Sequence, residues 1–96
     1  MKLFTFVRFH AREGREAELA ATLRKQVPFA RTEPGCVTID AYRSTRDPRL
    51  FFIHSVWTDE AAFEVHAELQ NTVDFIARVE PLIDHPLDVT RSRPLG

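Results

Sequence analysis

The sequence predicts an α+β domain of βαββαβ order, a four-stranded antiparallel sheet with both helical regions on one face. Three observations carry that expectation. Short segments rich in Val, Ile and Phe alternate with two stretches of helical period, one from Arg15 and one from Asp59. Gly and Pro punctuate the joints at Gly14, Pro34-Gly35 and Asp47-Pro48. Two of the strand segments are apolar on both parities, which calls for cover on both faces of the sheet.

The first strand runs Leu3 to His10 and ends at Arg12-Glu13-Gly14, where Gly can take a positive φ. Leu3, Thr5, Val7 and Phe9 share one face; Phe4 and Phe6 share the other. The first helix spans roughly Arg15 to Thr32, with Leu19, Leu23, Val27 and Ala30 recurring at three- and four-residue steps. Pro28 removes a backbone donor and should kink its last turn. Glu33-Pro34-Gly35 ends the helix, because the residue before proline avoids the α region. Cys36 to Arg43 forms the second strand, with Val37, Ile39 and Ala41 opposed to Thr38, Asp40 and Tyr42. After the Ser44–Arg49 hairpin loop, Leu50 to Trp57 forms the third strand: Phe51, Ile53 and Trp57 on one face, Leu50, Phe52 and Val56 on the other. Thr58 or Asp59 caps the next helix, whose expected inward stripe is Ala61, Ala62, Val65 and Leu69. A second helical piece covers Asn71 to Leu82, and Leu87 to Arg93 closes the chain as the last strand.

This order is the ferredoxin-like arrangement. Its helix-free face would expose Phe4, Phe6, Leu50, Phe52 and Val56, a larger apolar patch than a soluble monomer tolerates. Packing two such faces about a two-fold axis buries them and gives a dimeric α+β barrel. His54 has the parity of Phe52 and Val56, so it is expected in that interface with Phe4, Phe6 and Phe52.

Composition narrows the function classes. Residues 1–96 form a single domain, without room for a separate cofactor-binding one. The apolar fraction of 44% and charged fraction of 28% are those of a globular chain. A net charge of −1 gives no electrostatic reason to expect nucleic acid or an anionic membrane as partner. No apolar run approaches the ~18 residues of a membrane span, and Met1-Lys2-Leu3 leads directly into a strand pattern rather than a signal peptide. The single cysteine, Cys36, precludes an intrachain disulfide and fits a reducing, cytoplasmic setting. It reads as a small apolar strand residue rather than a nucleophile. The four histidines fall in no metal-ligand spacing, and no phosphate loop, dinucleotide glycine pattern or Gly-x-Ser-x-Gly is present. The reading therefore calls for no metal and no cofactor.

The run from Glu33 to His66 carries most of the functional signal. Trp57 ends the third strand, and His66 follows nine residues later on the helix opened by Thr58-Asp59-Glu60-Ala61. A large aromatic at a strand end and an imidazole on the next helix are thereby brought close, beside whatever cavity lies between helix and sheet. Trp57 can be a core wedge or a substrate platform, and its indole N–H needs a partner if buried. His66 can be a hydrogen-bonded structural residue or a general base, since imidazole changes charge around neutral pH. His10 and His85, at strand margins, are expected at the solvent surface.

Glu33-Pro34-Gly35-Cys36, the Asp47-Pro48 hairpin and Val56-Trp57-Thr58-Asp59-Glu60-Ala61 to His66, together with the first strand, resemble the antibiotic biosynthesis monooxygenase family of small dimeric proteins. That family includes cofactor-free quinol monooxygenases and, more distantly, haem-degrading enzymes. The resemblance covers nearly the whole chain. It implies a cavity in each subunit with Trp57 in its wall and His66 facing it, and a homodimer that acts as a cofactor-independent monooxygenase on a small aromatic substrate, a quinol or a polycyclic or phenolic aromatic, with O₂. On that reading His66 serves as base and Trp57 stacks on or donates to the ring. Val7, Phe9, Phe51, Ile53, Phe63 and Leu69 furnish walls, with Leu3. Thr5, Asp40, Tyr42 and Ser55 are the remaining polar candidates. Ser55 stands where many members carry a glutamate, and Val7 where haem-degrading relatives carry an asparagine. A haem-binding protein and a non-oxidative isomerase or ligand-binding dimer are the alternatives.

Overall fold

The computed structural model describes all of residues 1–96. In chain order it has β1 Leu3–His10, α1 Glu16–Arg31, β2 Cys36–Arg43, β3 Leu50–Trp57, α2 Glu60–Glu68, α3 Gln70–Val79, a 3₁₀ turn Glu80–Leu82, and β4 Asp88–Ser92. The strands form one antiparallel sheet in the order β2-β3-β1-β4. The fold is ferredoxin-like α+β, as expected. No helix is long and apolar enough to cross a membrane.

Register decides which side chains meet the helices. Leu3, Thr5, Val7 and Phe9 pair with Trp57, Ser55, Ile53 and Phe51, placing all eight on the covered face. Most of that face is buried together with Leu19, Leu23, Val27 and Ala30 of α1, and with Phe75, Val79 and Leu82 beyond. The inward stripe of α1 is thus the expected one. Its bounds are one residue shorter at each end, and Pro28 is accommodated inside it on the exposed side. The final turn tightens, with the N–H groups of Thr32 and Glu33 donating to the carbonyls of Phe29 and Ala30.

Two sequence expectations fail for geometric reasons. A bulge between Cys36 and Thr38 inserts Val37 as the extra residue of β2. Cys36 then shares the covered face with Trp57, and Val37 is 44% exposed. The residues that follow keep their parity: Tyr42 pairs with Phe52 and Asp40 with His54, on the helix-free face, so neither borders the helix–sheet interior. The second helical region also differs. Leu69 adopts an extended conformation (φ −62°, ψ 141°) and breaks it into α2 and α3. Counted from that break, the inward residues are Phe63, Thr72 and Phe75, whereas Val65, Leu69 and Val73 face outward.

On the helix-free face a row of rings is left without cover. His54 stacks on Phe6 at 4.6 Å and lies 6.3 Å from Phe4, while its Nδ1 is 3.0 Å from the Thr5 carbonyl oxygen. Phe6 and Tyr42 are about half exposed in the single chain.

Candidate active site

Between the sheet and the three helices lies a cavity of about 200 Å³. Strand residues Thr5, Val7, Phe9, Ile53 and Ser55 form its floor, with Phe63 and His66 of α2 and Thr72, Phe75 and Ile76 of α3 over it. The break at Leu69 shapes this roof. It lets α3 start in a new direction, bringing Thr72 Oγ1 to 3.5 Å from His66 Nδ1 and Asn71 Oδ1 to 2.8 Å from Gln26 Nε2. Arg91 borders the cavity from β4, its guanidinium 5.0 Å from the Phe63 ring centroid and bonded to Glu60 and Glu64. Those two carboxylates raise the Arg91 pKa further, fixing it as a cation.

His66 is held on three sides. Its Nδ1 is 2.6 Å from Glu33 Oε1, and the two side chains are only 13% and 11% exposed. A carboxylate can only accept, so Nδ1 carries the proton and Nε2 presents the lone pair. Trp57 packs against the imidazole at 4.6 Å with a 33° tilt, and Phe63 lies at 5.6 Å. Glu33 reaches this place because the α1–β2 turn passes under α2. At Gly35 (φ +85°) an added Cβ would fall 2.5 Å from Ala62 Cβ. The Gly35 carbonyl accepts from the Thr58 N–H at 2.8 Å, and Asp59 caps α2 by accepting from the Ala62 N–H.

Beneath His66 the polar atoms are linked. Trp57 is fully buried and donates its indole N–H to Ser55 Oγ at 2.9 Å, and the Ser55 and Thr5 hydroxyls bond each other. Ser55 therefore receives the indole proton that the sequence left open to a ligand. Cys36, packed beside Trp57, keeps its proton: burial first, and Glu33 second, raise its pKa.

The cavity brings together His66, Thr5, Val7, Phe9, Ile53, Ser55 and Phe63 among the sequence candidates. It does not include six others. Leu3 packs in a separate cluster with Trp57 and Phe63, and Asp40 lies on the helix-free face. Trp57 lies behind the wall, with its N–H already engaged. Tyr42 is on the opposite face of the sheet, Phe51 is in the core under α1 with Arg43 over its ring, and Leu69 faces outward at the helix break. Sequence reading missed Gln26, Thr72 and Glu33 as site residues. Gln26 was legible as a polar residue one step before Val27 on the inward stripe of α1. Thr72 depends on the helix break, and the role of Glu33 on a contact across 33 residues.

The histidines are not all scattered. His10 Nδ1 and His85 Nδ1 lie 2.8 and 2.6 Å from Asp84 Oδ1, and His10 Nε2 lies 3.1 Å from Asp47. The ligand atoms of His10, Asp84 and His85 fall within 4.8 Å of one another. Contrary to expectation, His10 is only 17% exposed; His85, at 62%, is at the surface. Asp84 is also paired with Arg49 at 2.6 Å, so this cluster is internally satisfied.

The chain is a small ferredoxin-like α+β domain with an imidazole–carboxylate pair on an apolar cavity. The family of antibiotic biosynthesis monooxygenases matches residues 3–78, and the chain belongs to it. A relative from Bacillus subtilis, named "Putative monooxygenase YcnE", is 31% identical over 80 residues, 83% of each chain. Among solved structures, PA3566 of Pseudomonas aeruginosa superposes with a TM-score of 0.90 at 26% identity, over 99% of this chain and 95% of that one. Rv0793 of Mycobacterium tuberculosis superposes with a TM-score of 0.92 at 24% identity, over 100% and 97%, a likeness of fold alone.

Proposed function

We propose that this chain is a cofactor-independent monooxygenase that oxidises a small quinol or other hydroxyarene with O₂. The observation that carries this reading is the Glu33–His66 pair on the cavity wall: the carboxylate fixes the imidazole as a base with Nε2 free. His66 removes a hydroxyl proton from the bound ring. The phenolate gives one electron to O₂, and the aryloxyl radical and superoxide recombine to form a carbon–oxygen bond. The imidazolium returns the proton to the peroxide. Loss of the ring hydrogen then breaks the O–O bond, leaving a carbonyl and releasing water. A dihydroxyarene and O₂ thus give a hydroxyquinone and water. An apolar cavity suits charge transfer of this kind because it excludes water from the phenolate. Trp57 acts here as a positioning residue, setting the plane of His66 rather than touching substrate.

The cavity is smaller than the ~300–1,000 Å³ pockets of drug-sized ligands. That favours a single ring over a polycyclic substrate or a porphyrin. The test is oxygen uptake over a panel of quinols, with enzyme-free autoxidation subtracted. Uptake at the blank rate on every quinol would leave the isomerase or binding role as the better reading.

The working form is proposed to be a homodimer joined through the helix-free faces, with Phe4, Phe6, Phe52 and His54 at the interface. Phe52→Asp would bury a charge there and should split or unfold the dimer. Sedimentation of a folded wild-type monomer at micromolar concentration would remove this part of the proposal.

A further inference from the structure

The end of β1 carries a second set of ring nitrogens, and the backbone there is tied into one frame. Asp84 donates its N–H to the His10 carbonyl at 3.0 Å, Ala11 bridges to Ile83, and the Ala11 N–H donates to the Arg49 carbonyl. On this frame His10 Nδ1 and His85 Nδ1 converge on one oxygen, Asp84 Oδ1, at 2.8 and 2.6 Å. The ligand atoms of the three residues lie within 4.8 Å of one another. The two rings stand nearly perpendicular, at 88°, with centroids 5.4 Å apart. The other nitrogen of His10 lies 3.1 Å from Asp47 Oδ2, and Asp47 Oδ1 is itself held by the Arg49 N–H. A carboxylate behind the far nitrogen is the usual support of a metal-binding histidine. It takes the Nε2–H and leaves the Nδ1 lone pair facing forward. That lone pair then faces the Asp84 oxygen, and two acceptors at 2.8 Å need a proton or a cation between them.

We propose that His10, Asp84 and His85 form a site for one divalent metal ion of borderline softness, zinc above all. Two imidazole nitrogens and one carboxylate oxygen are ligands that such an ion takes, and three protein ligands leave a fourth position to solvent. Magnesium and calcium, which take several oxygens, find only one here. Arg49 occupies Asp84 Oδ2 at 2.6 Å, so the carboxylate binds through Oδ1 alone. With neutral rings, the two carboxylates of Asp47 and Asp84 outnumber the one guanidinium of Arg49, and the remaining negative charge attracts a dication. A tetrahedral ion with bonds of ~2.0–2.1 Å sets its ligands about 3.3 Å apart, so the cluster must open by about half an ångström. His85 supplies that movement, since its side chain is 62% exposed, whereas His10 and Asp84 are held by the backbone frame. The ligands come from the two ends of the chain, which is why no metal-ligand spacing shows in the sequence. None of the three lines the cavity, so the site stands or falls separately from the oxygenase reading.

Zinc chloride alone, titrated by calorimetry into the chelator-stripped full chain, tests the site. Wild type should bind one Zn²⁺ per chain, and magnesium chloride should give no binding. His85→Ala, at the exposed end of the cluster, and His10→Ala should each weaken zinc binding at least tenfold. His66→Ala should leave zinc binding unchanged, because His66 pairs with Glu33 at the cavity. No zinc binding in wild type, undiminished binding in His85→Ala, loss of binding in His66→Ala instead, or magnesium bound as tightly as zinc would each overturn the assignment. Should His10→Ala fail to fold, the exposed His85→Ala decides alone.

Discussion

Two histidine–carboxylate arrangements stand at opposite ends of the sheet interior, and they differ in what their remaining atoms face. His66 has one carboxylate, Glu33, an aromatic on its flank and a free nitrogen on an apolar cavity. His10 has a carboxylate on each nitrogen, and Asp84 is shared among His10, His85 and Arg49. The groups and bond lengths are similar. The first leaves an unspent lone pair on an apolar cavity, whereas both nitrogens of His10 are engaged by carboxylates. On the proposed reading reactivity follows from that remainder, while the second cluster acts as a clasp joining the end of β1 to the hairpin and to the segment before β4.

The largest expected effect separates the two directly. His66→Ala should lower oxygen uptake by about 10²–10⁴-fold, the usual span for loss of a general base. His10→Ala should leave uptake within a few-fold of wild type. Comparable losses at both positions would dissolve the contrast, and full activity in His66→Ala would reduce His66 to a packing residue.

A second prediction concerns how the Glu33–His66 pair is built. Glu33 is delivered by a turn that needs both a positive φ and a close approach at Gly35. Gly35→Ala adds left-handed strain of about 1–2 kcal/mol and overpacking of about 1–3 kcal/mol against Ala62. A stability loss of about 2–5 kcal/mol is expected in denaturant titration, with Gly14→Ala losing less because open space surrounds Gly14. Equal costs at the two glycines would show that the approach to α2 is looser than the structure has it.

What the sequence could reveal tracks range. The strands, α1 and the placement of Trp57 beside His66 follow from local period and short spacing, and these were legible. The bulge at Val37 and the break at Leu69 were not, because neither carries Gly or Pro and each is set by tertiary packing. Those two irregularities explain most of the misplaced side chains. Val37 leaves the alternation, while Leu69 turns outward and Thr72 turns in; Val65 is outward within α2 itself, whose buried face is set by Phe63. Tyr42 was misassigned for a simpler reason: its face is fixed by pairing with Phe52, which only the register supplies. Glu33 and Asp84 acquire their partners across long stretches of chain, where pattern is silent.

Below the cavity, a smaller effect tests the buried relay. Ser55→Ala strands the indole N–H of Trp57 and removes the partner of the Thr5 hydroxyl. It should destabilise the protein by about 1–3 kcal/mol. His85→Ala, at the exposed margin of the other cluster, should stay within about 0.5 kcal/mol at neutral pH. Chemical denaturation of both variants gives the comparison. A Ser55→Ala protein as stable as wild type would mean that the indole finds another acceptor.

The smallest effect is visible only in acid. Hydrogen bonds from His10 and then His85 hold the Asp84 carboxyl down at about 2 in the folded protein, against about 3.9 for an unperturbed aspartate. A group whose pKa is depressed on folding contributes stability above its unfolded pKa and loses it as pH falls through the folded one. The contribution should therefore be full above about pH 5 and fade between about pH 4 and 2. Asp84→Asn cannot ionise and lacks this component. The stability difference between wild type and Asp84→Asn should shrink as pH falls from about 4 towards 2. Urea titrations at several pH values across that window measure it. A difference that persists undiminished at the acid end would mean that the clasp works through packing rather than through the charge on Asp84.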